Sequence, residues 1–217
     1  MLATFIQEAA KDEVSSSPNY TYILFESAAL TLTFVKNDAQ AFAAVEEQLT
    51  PVLNYIIANG VSDLMGFAFQ VYATFVAGST SQKEDYGALT QSVLTNMSNW
   101  DKEMKYLIPA LGIFVTTMTC KYTQFVQQPE YLGNLKEVVK HLMNPEMRME
   151  QVALNICSTL FERLEGPPDT DFLHTILYSI CQSLHFYRNN TKAKLIPVSI
   201  MKAVHLFLAN FMVGHGS

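Results

Sequence analysis

Glycine and proline are scarce in this chain, 9 and 8 among 217 residues. No glycine-rich loop is present to cradle a phosphate, and no alternating β-branched run suggests a sheet. A basic excess is also missing. Against 14 Lys and Arg stand 20 Asp and Glu, a net charge of −6. Such a chain repels phosphate backbones, so no nucleic acid partner is expected and a basic protein partner fits better. Only three cysteines occur, Cys120, Cys157 and Cys181. Their spacing suits neither a disulfide framework nor a metal knuckle, and they read as reduced thiols of an intracellular protein. No run of about 18 apolar residues exists, so no membrane insertion is expected. The opening MLATFIQEAAKDEV lacks the basic flank and long apolar core of a signal peptide. Three N-x-S/T triplets, at Asn19, Asn96 and Asn189, carry no weight without a secretory context.

What the chain does have is apolar residues, 49% against 16% charged, which marks a folded protein. Asn19 to Val35 is the most informative stretch. Phe25, Ala28, Ala29, Leu32 and Val35 fall on one helical face, and Leu24 and Leu30 widen it until little polar surface is left. A helix of this kind needs covering on more than one side.

Similar patterns recur along the chain. The spacing predicts helices over 2–14, 19–36, 39–58, 62–76, 83–96, 101–119, 122–143 (interrupted near Gln128-Pro129), 145–164, 169–188 and 192–213. Expected punctuation includes caps at Ser17, Asp38 and Ser62, a stop at Asn59-Gly60, and an Asn144-Pro145 start. Pro51, Pro109 and Pro197 are expected inside helices, bending them. Alternate helices start near 20, 61, 101, 145 and 191, a period of roughly 40–47 residues. That is the HEAT or armadillo class of two helices per repeat. The expected fold is therefore all-α, an α-solenoid of about ten helices, with residues 1–217 forming one array. It would begin on a second helix and stop on a first, which suggests a segment of a longer solenoid; a compact helical bundle is the alternative.

Chemistry is harder to find. Cys181 and His185 lie one turn apart with His174 nearby, but nothing completes a metal shell. A buried thiol and a partly exposed imidazole are the plain reading. No nucleophile elbow or triad order appears, and Cys157 has no neighbouring His. Adjacent Glu46 and Glu47 point about 100° apart on a helix and cannot clamp a substrate between them. No catalytic, cofactor-binding or metal residues are assigned, and no cofactor is expected. The Met and aromatic content, 10 Met, 14 Phe and 10 Tyr, is read as core, with the lining of a groove as the alternative for some of it.

Tyr22 with Phe25-Glu26-Ser27-Ala28, Val45 to Leu49 (VEEQL), Phe67 to Val71 (FAFQV) and Ile108 to Leu111 (IPAL) follow in order. Pro167-Pro168 and the Asn190-Thr191-Lys192 turn come later. In order and spacing these resemble the C-terminal half of the importin-α re-exporter family (CAS, exportin-2) of the importin-β superfamily, over about residues 5–213. The resemblance implies a HEAT solenoid without enzymatic activity. It implies partners importin-α and Ran-GTP, with nucleoporins as further candidates, for a monomeric receptor shuttling between nucleus and cytoplasm. The family's N-terminal Ran-binding repeats have no counterpart here. The concave wall of such solenoids is lined by second helices, which makes Glu46, Glu47, Lys136 and Lys140 candidate partner contacts; a solvated helix face is the alternative for each. A HEAT-type scaffold of another pathway and a helical-bundle enzyme or metal-binding protein are the competing functional readings.

Overall fold

A computed structural model describes residues 2–11, 18–79, 84–97, 106–144, 147, 149–165, 169–189 and 198–215. The expected Ser17 cap, Pro145, Pro167-Pro168, the Asn190-Thr191 turn and Pro197 lie outside those residues. Among the described residues every regular element is helical, and they carry eleven helices. The fold is all-α, of the α-solenoid, HEAT-like kind. Its backbone falls into two compact units, residues 1–82 and 83–217.

The first unit holds α1 (Leu2–Lys11), α2 (Pro18–Val35), α3 (Ala39–Ala58) and α4 (Ser62–Gly78). Neighbours in sequence pack as hairpins, and alternate helices also touch, α1 on α3 and α2 on α4. That is the two-layer stacking of helical repeats. Local chemistry sets the turns. The Asp38 carboxylate accepts the backbone N–H groups of Gln40 at 3.1 Å and Ala41 at 3.0 Å, capping α3 as expected. At the other end Gly60 takes φ +62°, while Val61 N–H donates to Ile56 C=O and Gly60 N–H to Ile57 C=O. This pair of bonds is the Schellman stop, and it needs a residue that tolerates the left-handed region. Val61, rather than Ser62, occupies the cap of α4 and makes no side-chain capping bond. Ser62 is already the first helical residue. Pro51 lies within α3 and withholds one backbone donor. Just beyond it the Tyr72 hydroxyl of α4 donates to the Asn54 side-chain oxygen at 2.5 Å, tying the two helices together.

The second unit holds α5 (Glu84–Met97), α6 (Ile108–Lys121), α7 (Thr123–Val126), α8 (Pro129–Leu142), α9 (Glu150–Arg163), α10 (Thr170–Asn189) and α11 (Val198–His215). α6, α9 and α11 stack in one layer; α5, α8 and α10 stack in the other. α7 is the expected interruption before Pro129, resolved into a separate turn of helix. Two expectations are corrected. Pro109 stands in the first turn of α6, where its missing N–H costs nothing, and so it starts this helix instead of bending it. α9 begins at Glu150 with Met149 at its cap, not at Asn144-Pro145, and Asn144 C=O instead accepts the Met147 N–H in a turn.

Apolar stripes on α6 and α9 form the core of the second unit. Leu111, Phe114, Val115 and Met118 of α6 and Ala153, Ile156, Cys157 and Leu160 of α9 are fully buried. Each large apolar side chain hidden this way stabilises the unit by about 1.5–3 kcal/mol relative to exposure. The α6–α9 crossing is close because Gly112 has no side chain: a Cβ there would stand 2.3 Å from Val152 Cγ1.

Candidate partner-binding surfaces

The four charged positions singled out in the sequence differ in setting. Glu46 and Glu47 share α3, and their divergence on the helix sends them to opposite environments. Glu46 is 3% exposed, and Glu47 is open to solvent. Lys136 and Lys140 share α8. Lys136 Nζ sits 2.6 Å from Asp169 Oδ2 and 5.5 Å from the centre of the Phe172 ring. Asp169 in turn caps α10 by accepting the N–H groups of Asp171 and Phe172 through its other oxygen. The hydrogen bond from Lys136 and those backbone donors hold the Asp169 carboxyl below its ordinary value of 3.8. Lys136 is thus a tether between α8 and α10. Lys140 is exposed and pairs with Glu137 on its own helix at 2.7 Å.

Among the described residues no three or more His, Cys, Asp or Glu side chains come together in a way that could hold a metal. Cys181, His185 and His174 are all exposed, and the His185 ring bonds the Asn189 side chain at 2.8 Å. Cys157 is sealed in the core, where burial pushes its thiol well above the ordinary range. Tyr131, hydrogen-bonded to Thr119 at 3.0 Å, is pushed up to about 12 by burial.

Several polar contacts between helices escaped the sequence reading. The buried Glu150 carboxylate of α9 accepts the Ser183 hydroxyl of α10 at 3.2 Å. Arg163 of α9 donates to Cys120 Sγ of α6 at 3.3 Å. Residues 30 or more apart in sequence leave no periodic trace of such pairs.

Two grooves open between stacked helices, one in each unit. In the first unit Tyr22, Phe25, Glu26 and Ala29 of α2 face Phe67, Gln70, Val71 and Thr74 of α4 around about 270 Å³. Phe67 stacks on Phe25 at 5.1 Å and meets Tyr22 edge-on at 6.5 Å. In the second unit a groove of about 700 Å³ runs along α6, α9 and α11, with Ile113, Val152 and Leu206 as apolar walls and Gln151, Asn155 and Glu162 as polar ones. The larger groove falls within the size range of binding clefts, and the smaller lies just below it. The expected inward stripe of α2 is corrected at two positions: Ala28 is fully buried, while Ala29 lies open along the smaller groove and Leu30 is exposed. The far side of α2 carries a second apolar row, Tyr20, Ile23, Leu30 and Phe34, and it is exposed.

Stacked helical pairs with clefts between them offer surfaces of the kind that helical repeats present to protein partners. A search of curated proteins found no match, and neither did a search of solved structures. A family model described as "CAS/CSE protein, C-terminus" matches residues 2–215. Nearly the whole chain is covered by that match, so the protein belongs to the CAS/CSE family, whose members are nuclear transport receptors, and corresponds to the C-terminal segment of such a receptor.

Proposed function

We propose that this chain is part of the receptor that carries importin-α out of the nucleus together with Ran in its GTP form. It works by protein binding alone, needs no cofactor, and shuttles with the receptor between nucleus and cytoplasm. The observation that carries this reading is the family match over residues 2–215. The stacked hairpins support it, because repeats of this kind offer long surfaces to protein partners. Residues 1–217 are taken as one stretch of the receptor's array. Of the four candidate contacts, Glu47 and Lys140 present their charges to solvent and are the positions proposed to meet a partner. Glu46 is buried, and Lys136 is engaged by Asp169 within its own unit.

The test is retention of the receptor containing this chain on immobilised importin-α, with GTP-locked Ran or with Ran-GDP. Retention with the GTP form and loss with the GDP form is expected. Equal retention in both states, or in neither, would overturn the assignment. Glu47→Lys and Lys140→Glu are each expected to weaken retention several-fold; a pair of variants that binds like the parent removes these two positions from the interface.

A further inference from the structure

α2 is apolar on two sides. Thr21, Leu24, Phe25, Ala28 and Leu32 are buried within the first unit. On the opposite side Tyr20, Ile23, Ser27, Leu30 and Phe34 follow one another at spacings of three, four, three and four residues. That is the repeat of a helix–helix seam, where each large side chain can enter a gap on a facing helix. Among the described residues of the first unit the seam is left uncovered: Phe34 is 85% exposed, Ile23 57%, Leu30 53% and Tyr20 45%. Two aromatic rings open to that degree leave on the order of 250 Å² uncovered. With Ile23 and Leu30 added, the row reaches the size of patches that mark interaction sites.

Charge decides what can cover it. The first unit contains two basic residues, Lys11 and Lys36, against eight acidic ones, Glu8, Asp12, Glu13, Glu26, Asp38, Glu46, Glu47 and Asp63. The other unit has twelve of each sign, so the whole net charge of −6 belongs to the first. Glu8, Glu26, Asp38, Glu47 and Asp63 are exposed, and Glu26 stands beside the seam. A second copy of this chain would bring a second acidic unit against the first. Anionic lipid and nucleic acid meet the same repulsion.

We propose that the exposed face of α2 docks an amphipathic helix of another protein, apolar along one side and flanked by Lys or Arg. Apolar side chains seat between Tyr20, Ile23, Leu30 and Phe34, and the basic flanks meet Glu26 and the field of the acidic unit. This docking does not depend on the identity of the transported cargo, so either reading can fail without the other.

The test uses the full chain and a fluorescein-labelled synthetic helix of about 20 residues, with Leu at alternating three and four spacing and Lys on the flanks. Binding followed by anisotropy is expected at low salt, weakening as salt shortens the screening length. Peptides with Glu for Lys, or Ser for Leu, are expected to bind at least tenfold more weakly. Ile23→Ser/Phe34→Ser is expected to lose at least tenfold, while Ile23→Leu/Phe34→Leu stays within about threefold. Glu26→Lys weakens binding through charge alone and keeps the seam intact, and Ile113→Ser in the other unit changes nothing. The proposal is overturned if the acidic peptide binds as well as the basic one, or if the serine variant keeps full affinity. It is overturned equally if sedimentation shows a dimer of the chain that Phe34→Ser dissolves.

Discussion

Replacing Gly112 by alanine sets two effects of known sign against each other. Within a helix the change gains about 1 kcal/mol, because glycine loses more backbone freedom on folding than alanine. At this position the new methyl would lie 2.3 Å from Val152 Cγ1, far inside van der Waals contact. Valine is branched at Cβ and held in one rotamer on a helix, so it has little room to turn aside. Either Val152 leaves its rotamer or α6 and α9 move apart along a crossing packed with Leu111, Phe114, Ile156 and Leu160. Overpacking of this kind costs about 1–3 kcal/mol. The loss exceeds the gain, and Gly112→Ala is expected to destabilise the protein by up to about 2 kcal/mol.

Val152→Ala supplies the control. Alone it removes part of a half-buried side chain and costs about 1 kcal/mol, less than two fully buried methylenes would. Combined with Gly112→Ala it removes the collision while the helical gain remains, so the double variant is expected to be at least as stable as Val152→Ala. The pair should therefore be coupled by about 1–3 kcal/mol. Denaturant unfolding followed by circular dichroism measures all four proteins, and in a chain of this length each kcal/mol moves the melting temperature by about 2–4 °C. A Gly112→Ala variant that gains the full 1 kcal/mol, with additive behaviour in the double variant, would refute the close-crossing account.

Four further outcomes are expected. Gly60→Ala places an L side chain in the left-handed region at φ +62° and should cost about 1–2 kcal/mol in the same unfolding assay. Ala28→Leu should destabilise by about 1–3 kcal/mol through overpacking, whereas Ala29→Leu, on the open side, should change stability by less than about 0.5 kcal/mol. A thiol reagent should label Cys120 and Cys181 rapidly and Cys157 only on unfolding, since Cys157 is sealed and its thiolate disfavoured. Asp169 is more acidic folded than unfolded, so its pairing with Lys136 stabilises the protein above the ordinary carboxyl value of 3.8 and is lost as pH falls through the lower, folded value. The melting-temperature gap between the parent and Asp169→Asn should accordingly hold near neutral pH and close in strong acid; a gap that widens in acid contradicts the sign.

Much of this fold was legible because a helix repeats every 3.6 residues and buries one stripe. The runs ending in Leu111, Val115 and Met118, or in Val138, Val139 and Leu142, needed no tertiary information to be assigned to a core. Asp38 and Gly60 were equally readable, since a cap and a left-handed stop act within a few residues of themselves. The start of α9 was not. Asn144-Pro145 carries a strong local start signal, yet the next helix waits until Glu150, whose carboxylate turns inward to Ser183 on another helix. Surface chemistry was the least legible part for the same reason. Glu46 and Lys136 look like ordinary surface charges in the sequence, and only the packing of other helices shows that one is buried and the other engaged. α2 is the instructive case. Its wealth of apolar residues implied covering on several sides, and within the first unit that covering reaches only the face of Leu24, Phe25, Ala28 and Leu32. The other face kept its own regular spacing through Tyr20, Ile23, Leu30 and Phe34. One helix cannot present two regular apolar rows to a single core. The row left outside is therefore the place where the sequence records a contact with something other than its own unit.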